Sequence, residues 1–455
     1  MKQAVKRIII GLYFLTLSVV LTGCTVPLIG VEITFPEWVP FIGGESRSPV
    51  TLEYWGLWEN DLVMQPFFDS YKQEREFVSV DYQVRDPRQH FETVRSRLNA
   101  GNPPDIVRVH STWVPYLVDG LEPMPDNLLA SSDYINAFYP VVSEDLIVGG
   151  RVYGVPIGID GLALVYNEDL LEAEGITQPP QTWSELRTYA ADLTKKNSRG
   201  EIFQGGAALG YTTQIDHFSD IVGLMMAQSG ITFMDDEGKV NFNSFVVDGN
   251  NLASEALLFY TKFGSSEQSY NPNWNGSTEA FIEGKVAMIL VPSYRLIEIF
   301  NANPSFSVKV TTAPQLGSSD SEIANWASYW VEVVPKAGQR PSESWQLLAH
   351  MMQPDNLVEF YRAASAERGF GEPYPRPDLA STLSIDQRVQ PYVAQAATYT
   401  SWPFADGTHD VILNDAIIEV LARYVESVRR GGNVNDAVNG AVAEIQKIVD
   451  TVGGN

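Results

Sequence analysis

From residue 50 onward, apolar and polar positions repeat with two periods that take turns along the chain. Residues 50–55 and 78–83 alternate every second position, and 105–109 is a short, largely apolar run; each predicts a strand. Between them, 61–72 and 88–100 repeat at helical spacing, the second with Phe91, Val94 and Leu98 on one face and Gly101 placed to end it. Pro66 should kink or shorten the first of these helices. Two crossover helices between three short strands predict a parallel sheet with helices on its faces.

The alternation resumes after 153–156. Thr182-Trp183-Ser184-Glu185 has the spacing of a capping box, and Leu186, Tyr189, Ala190 and Leu193 follow at helical period. Residues 195–200 read as a turn. The unbroken apolar run 286–291 fits a strand buried on both faces. Ser342 is placed to cap a helix with Trp345, Leu348, Ala349 and Met352 on one side. Two amphipathic helices close the chain, with stripes at Leu413, Ile417, Val420, Leu421, Tyr424 and Val428 and at Val438, Val442, Ile445, Val449 and Val452. Gly431-Gly432 separates them.

The first 49 residues follow another pattern. Lys2, Lys6 and Arg7 precede an apolar run over 8–21 that ends in Leu21-Thr22-Gly23-Cys24, which predicts a secretory signal peptide over 1–23. The tetrapeptide resembles the bacterial lipobox, which implies that Cys24 becomes a lipidated first residue anchored to the membrane surface. Cys24 is the single cysteine of the 455 residues, so an intrachain disulfide is impossible and no thiol remains for catalysis. Residues 24–49, with Pro27, Pro36, Pro40 and Pro49, read as a tether. The formal net charge of −25 argues against a nucleic-acid partner, whose binders carry a basic footprint.

The five histidines show no zinc-helix spacing, and the chain carries neither a phosphate loop nor a nucleophile elbow. No cofactor or metal is implied. In open α/β sheets, ligands bind past the carboxyl ends of strands. That rule selects Trp58, Glu59 and Asn60 after the first strand, and Ser111 and Trp113 after the third. Both segments set an aromatic face beside hydrogen-bonding groups, the pairing a sugar ring demands. Trp55, inside a strand, reads as core, and His217 as structural.

Several fragments resemble the extracellular solute-binding proteins of carbohydrate ABC transporters, the maltose-binding protein group. They are Pro103-Pro104-Asp105-Ile106-Val107, Tyr153-Gly154-Val155-Pro156 with Ala163-Leu164-Val165-Tyr166-Asn167, the 179–186 helix start, and the 279–288 helix–glycine–strand return. The resemblance implies a two-lobed periplasmic-binding-protein fold of class α/β, each lobe a mostly parallel sheet flanked by helices. It places lobe one at 50–158 plus 293–351 and lobe two at 162–288 plus 356–455, with crossings near 159–161, 289–292 and 352–355. It adds Asp160, Tyr211 and Tyr294 to the candidate ligand contacts. Trp326, Arg376 and Trp402 complete that set. Val109 stands where the maltose-binding protein has a stacking tryptophan, and the loop around Tyr211 aligns loosely. The implied activity is capture of a sugar or oligosaccharide by a monomer that docks on ABC permease subunits outside the cytoplasmic membrane. A non-sugar solute (polyamine, glycerol phosphate or metal ion) and a secreted glycosidase remain as alternatives.

Overall fold

The structure is a computed structural model that describes residues 48–317 and 323–453. The expected signal peptide, the lipidated Cys24 and the tether up to residue 47 lie outside the described residues. From Val50 onward the chain forms one compact unit built on two sheets.

The first sheet orders its strands β2-β1-β3-β9. Strands β1 (Val50–Gly56), β2 (Val78–Val84) and β3 (Ile106–His110) run parallel, and β9 (Trp330–Val333) pairs antiparallel with β3. Helix α1 (Asp61–Glu74) links the first two strands and α2 (His90–Asn99) the next. Helix α1 continues through Pro66 without a break. The carbonyl that loses its partner belongs to Leu62, which is exposed, so water can take the vacant bond.

The second sheet orders β7-β4-β6-β5 with a two-residue edge strand, Lys195–Lys196. Its members are β4 (Ala163–Asn167), β5 (Ile202–Ala207), β6 (Val286–Val291) and β7 (Val308–Thr312). Every residue of β6 is buried, as its apolar run requires. Helix α3 (Trp183–Leu193) begins with the expected capping box: Thr182 Oγ1 accepts from the Glu185 amide, and the Glu185 carboxylate accepts from the Thr182 amide. Helices α4 (Phe218–Gln228), α5 (Leu252–Lys262), α8 (Asn414–Arg429) and α9 (Val434–Gly453) pack around this lobe.

Two of the expected crossings are corrected. Residues 289–292 end the central strand of the second sheet, and the chain stays in that lobe: β7 pairs residue by residue with β4. Residues 352–355 only join α6 (Pro341–Met351) to α7 (Pro354–Arg368), and both helices pack on α1, with Phe67 and Phe360 stacked 5.1 Å apart. Residues 293–317 therefore belong with lobe two and α7 with lobe one. The chain passes between the sheets at 157–162, between β7 and β9, and along 369–400. At the junction β8 (Asn325–Trp326) pairs parallel with β10 (Tyr399–Thr400). Helix α6 also starts one residue before the expected cap, with Pro341 in its first turn and Ser342 inside it.

Candidate functional site

Asp160 ties the crossings together. Its Oδ1 accepts from the amides of Gly161 and Ser293 at 2.8 and 2.9 Å, and its Oδ2 from the Ser293 hydroxyl at 2.9 Å. Its own carbonyl accepts from the Ser328 amide at 2.9 Å. Burial pushes its carboxyl up to about 7 against those hydrogen bonds. Both oxygens serve protein donors, so Asp160 holds three segments together at the junction.

Beside it, the Ile159 amide bonds the Pro373 carbonyl, which brings Glu372 to the crossing. A side chain at Gly158 would collide with the Glu372 carboxylate at 2.6 Å. Arg368, at the end of α7, lies 3.5 Å from Glu372 and 3.7 Å from Glu59. Glu59 is enclosed rather than solvated: it pairs with Arg108, whose Nε also donates to Glu332 at 2.7 Å. Glu59 Oε1 and Arg368 Nη2, both buried, have no hydrogen-bond partner. Burial pushes the Glu59 carboxyl up to about 7, with Arg108 opposing. Asn60 is a helix cap, its Oδ1 accepting from the Val63 amide at 3.2 Å.

On the lobe-one side, Trp58 is 46% exposed with a left-handed backbone (φ 63°). Its ring stands edge-on to Trp330 at 5.9 Å and 6.3 Å from His409. Trp113 is corrected: it has no exposure, packs against Phe91 at 5.1 Å and Trp330 at 5.3 Å, and donates from Nε1 to Asp410 Oδ2 at 2.8 Å. Ser111 is buried too, its amide donating to the Tyr329 carbonyl.

On the lobe-two side, Tyr294 keeps 40% of its surface exposed, while its hydroxyl meets His217 Nε2 at 3.0 Å. The remaining candidates are drawn into packing. Tyr211 lies mostly buried beneath the Arg429 guanidinium, 4.8 Å from the ring centre. Trp326 and Trp402 pack together at 5.8 Å among Phe233 and Phe404. Arg376 donates twice to the Asp378 carboxylate and lies over Phe138. The structure thus gathers Trp58, Glu59, Asp160 and Tyr294 around the junction and leaves the others in the cores or on the flank.

Sequence reasoning missed Arg108, Glu332, Arg368, Glu372 and the Asp220–His217 pair. For the first two a signal existed: Arg108 and Glu332 are charges inside otherwise apolar strand segments, which demand a buried partner. Nothing in the pattern marks Arg368 or Glu372.

A family model described as bacterial extracellular solute-binding protein matches residues 67–367, well over half of the chain. The chain belongs to this family. Relatives of this solute-binding protein include the sn-glycerol-3-phosphate-binding periplasmic protein UgpB of Salmonella typhimurium, 22% identical over 77% of this chain and 84% of that one. A putative binding protein of Brucella abortus is 24% identical over 65% and 70%. Among solved structures, the cyclic alpha-maltosyl-1,6-maltose binding protein of Arthrobacter globiformis aligns over 90% of this chain and all of that one (TM-score 0.71, 19% identity). The sugar-binding protein MalE of Xanthomonas citri aligns over 89% and 98% (TM-score 0.70, 22% identity). These likenesses establish the two-lobed fold. Among the described residues, no helix is long and apolar enough to cross a membrane.

Proposed function

We propose that this solute-binding protein captures an uncharged sugar or oligosaccharide between its lobes and delivers it to the permease of an ABC importer. The observation that carries the choice of ligand is the pairing of charge at the junction. Arg108 pairs with Glu59 and Glu332, and Arg368 lies between Glu372 and Glu59, so carboxylates match the cations at the junction, while the rings of Trp58 and Tyr294 stand exposed. A phosphate needs cationic charge that carboxylates do not already match; a sugar needs aromatic faces and acceptors for its hydroxyls. The solved neighbours that bind maltotetraose, mannobiose or tagatose support this reading. The UgpB relatives support the second, glycerol phosphate. The protein acts by binding and closing, without chemistry on the solute, and works as a monomer held outside the cytoplasmic membrane by a lipid on Cys24.

A melting series separates the readings. A ligand that binds only the native state, present at a hundred times its dissociation constant, stabilises by about 2.7 kcal/mol. We expect that response to at least one of maltotetraose, mannobiose and tagatose, and none to sn-glycerol 3-phosphate. The reverse pattern overturns the sugar reading. Cys24→Ser should move the protein out of the detergent phase without changing its melting; continued fatty-acid labelling would refute the anchor.

A further inference from the structure

Tyr294 is held at both ends. Its backbone follows Ser293, which is fixed to Asp160 by two hydrogen bonds, and its hydroxyl runs into a buried polar network. There His217 Nε2 meets the hydroxyl at 3.0 Å, and His217 Nδ1 meets Asp220 Oδ2 at 3.1 Å. Asp406 completes the frame: its carboxylate accepts from the His217 amide, and its own amide donates to Asp220 Oδ1, each at 3.1 Å. A Cβ at Gly407 would come within 3.0 Å of the tyrosine hydroxyl, so the glycine leaves the space that the hydroxyl needs. His217 sits in the left-handed region at φ 60°, a conformation uncommon outside glycine and retained where the surroundings over-determine it.

We propose that His217 is a positioning residue for the ligand-facing ring of Tyr294, and that gain or loss of one imidazole proton resets the ring and with it the affinity for the solute. This rests on the reading of Trp58 and Tyr294 as walls of the solute cleft. The chemistry lies in the polarity of a single contact. A neutral imidazole that donates from Nδ1 to Asp220 has only a lone pair at Nε2, so the tyrosine O–H donates to it. A protonated imidazole donates from both nitrogens, so the tyrosine oxygen accepts and its own proton must turn to another acceptor. The hydrogen bond reverses while its partners stay the same.

The surroundings set when this happens. Burial alone would push the His217 proton off. The facing carboxylates of Asp220 on α4 and Asp406 on the connecting segment outweigh burial and hold the imidazole above its ordinary value, with Arg295 opposing. Asp216, in the loop before α4, and Tyr294 are the other titratable groups that face it. The reversal therefore falls above about pH 6.5, where an unperturbed histidine would titrate.

The test uses the mature full-length protein with isotope-labelled histidine and tyrosine rings. Without any sugar, the His217 nitrogen and Tyr294 ring resonances should titrate with one shared midpoint above about pH 6.5. In His217→Asn, a side chain that tolerates the left-handed backbone, the Tyr294 resonances should stop moving. Calorimetry with maltotetraose and mannobiose across the same range should show affinity changing about threefold or more through that midpoint in the wild type. It should be flat in His217→Asn and in Tyr294→Phe, which keeps the ring and loses the tether. Tyr294 resonances that ignore the His217 midpoint, or an unaltered affinity profile in His217→Asn of normal melting, overturn the proposal. Shared titration with no binding of either sugar at any pH supports the tether and counts against the sugar reading instead.

Discussion

Trp58 and Trp113 each stand just past the carboxyl end of a strand in the same sheet, and the strand-end rule gives them equal claim to a ligand. One is 46% exposed and the other not at all. The difference lies in what returns over them. Above the third strand, the segment leading into α8 and the helix's first residue come across from lobe two: Asp410 accepts from Trp113 Nε1, Asn414 Nδ2 donates to Thr112 Oγ1 at 3.0 Å, and the Val411 amide donates to Glu92. Above the first strand, the His409 and Trp330 rings stand beside Trp58 without covering it, and it keeps an open face. A strand end offers a place for a ligand, and the chain's own distant segments can take it first.

That contrast is open to attack, most forcefully beneath the two loops. Arg108 reaches from the third strand to Glu59 in the loop after the first, and to Glu332 on β9. Arg108→Met would leave buried Glu332 without its cation and Glu59 with the more distant Arg368 alone, a loss of about 3–5 kcal/mol. Urea unfolding should show it, and the triple change with Glu59→Gln and Glu332→Gln should recover most of it. A single substitution that leaves the unfolding midpoint in place would mean the triad is open to water, and Glu59 would return as a ligand acceptor.

Trp113→Ala comes next. Removing a fully enclosed tryptophan costs about 3–5 kcal/mol when the cavity cannot collapse, and the Asp410 carboxylate also loses a donor. The variant should melt far lower, yet bind sugar normally at temperatures where it is folded. Weakened binding with unchanged melting would restore Trp113 to the cleft.

His110 shares the covered site, its ring 5.1 Å from Trp330 and its Nδ1 2.9 Å from Thr112 Oγ1. Burial pushes its pKa down to about 3, so the folded state keeps it neutral while the unfolded chain protonates it below about pH 6.5. The unfolded state then binds the extra proton, and stability is lost as pH falls below that value, by about 1.4 kcal/mol one unit down. His110→Gln should remove this part of the acid sensitivity in melts compared at about pH 7 and pH 5.5. An unchanged difference between the two melts would mean the site over the third strand admits water.

Much of the fold was legible because it is local. The three parallel strands, the capping box at Thr182 and the two closing helices follow from period and end signals within a dozen residues. The crossings were not. Strand β7 is half-buried along its whole length, so its pattern does not say which sheet it joins, and its partner β4 lies far back in the sequence. The candidate site divides in the same way. Trp58 follows from the strand-end rule and Tyr294 from the family resemblance, and both keep an exposed ring. Glu59, Trp113 and Trp326 could not be sorted, because their enclosure depends on Glu332, Asp410 and Trp402, residues tens to hundreds of positions away.

The smallest expected effect is the most telling about function. Trp58 carries an exposed ring braced on one edge by Trp330, and its loss removes little packing from the core. An aromatic face contributes about 0.5–1.5 kcal/mol beyond the area it buries, so Trp58→Ala should weaken sugar binding by up to about tenfold with no change in melting. Trp58→Phe should recover part of the loss, since a smaller flat face still stacks on a ring's apolar side. The wild-type tryptophan and both replacements share the same left-handed backbone, so melting should stay level across the three and affinity is the discriminating measurement. Trp58 and Trp113 thus predict opposite signatures: affinity without stability for one, stability without affinity for the other. Calorimetry beside a melting curve on the two alanine variants reads both signatures, and wild-type affinity in Trp58→Ala would remove the lobe-one wall from the proposed cleft.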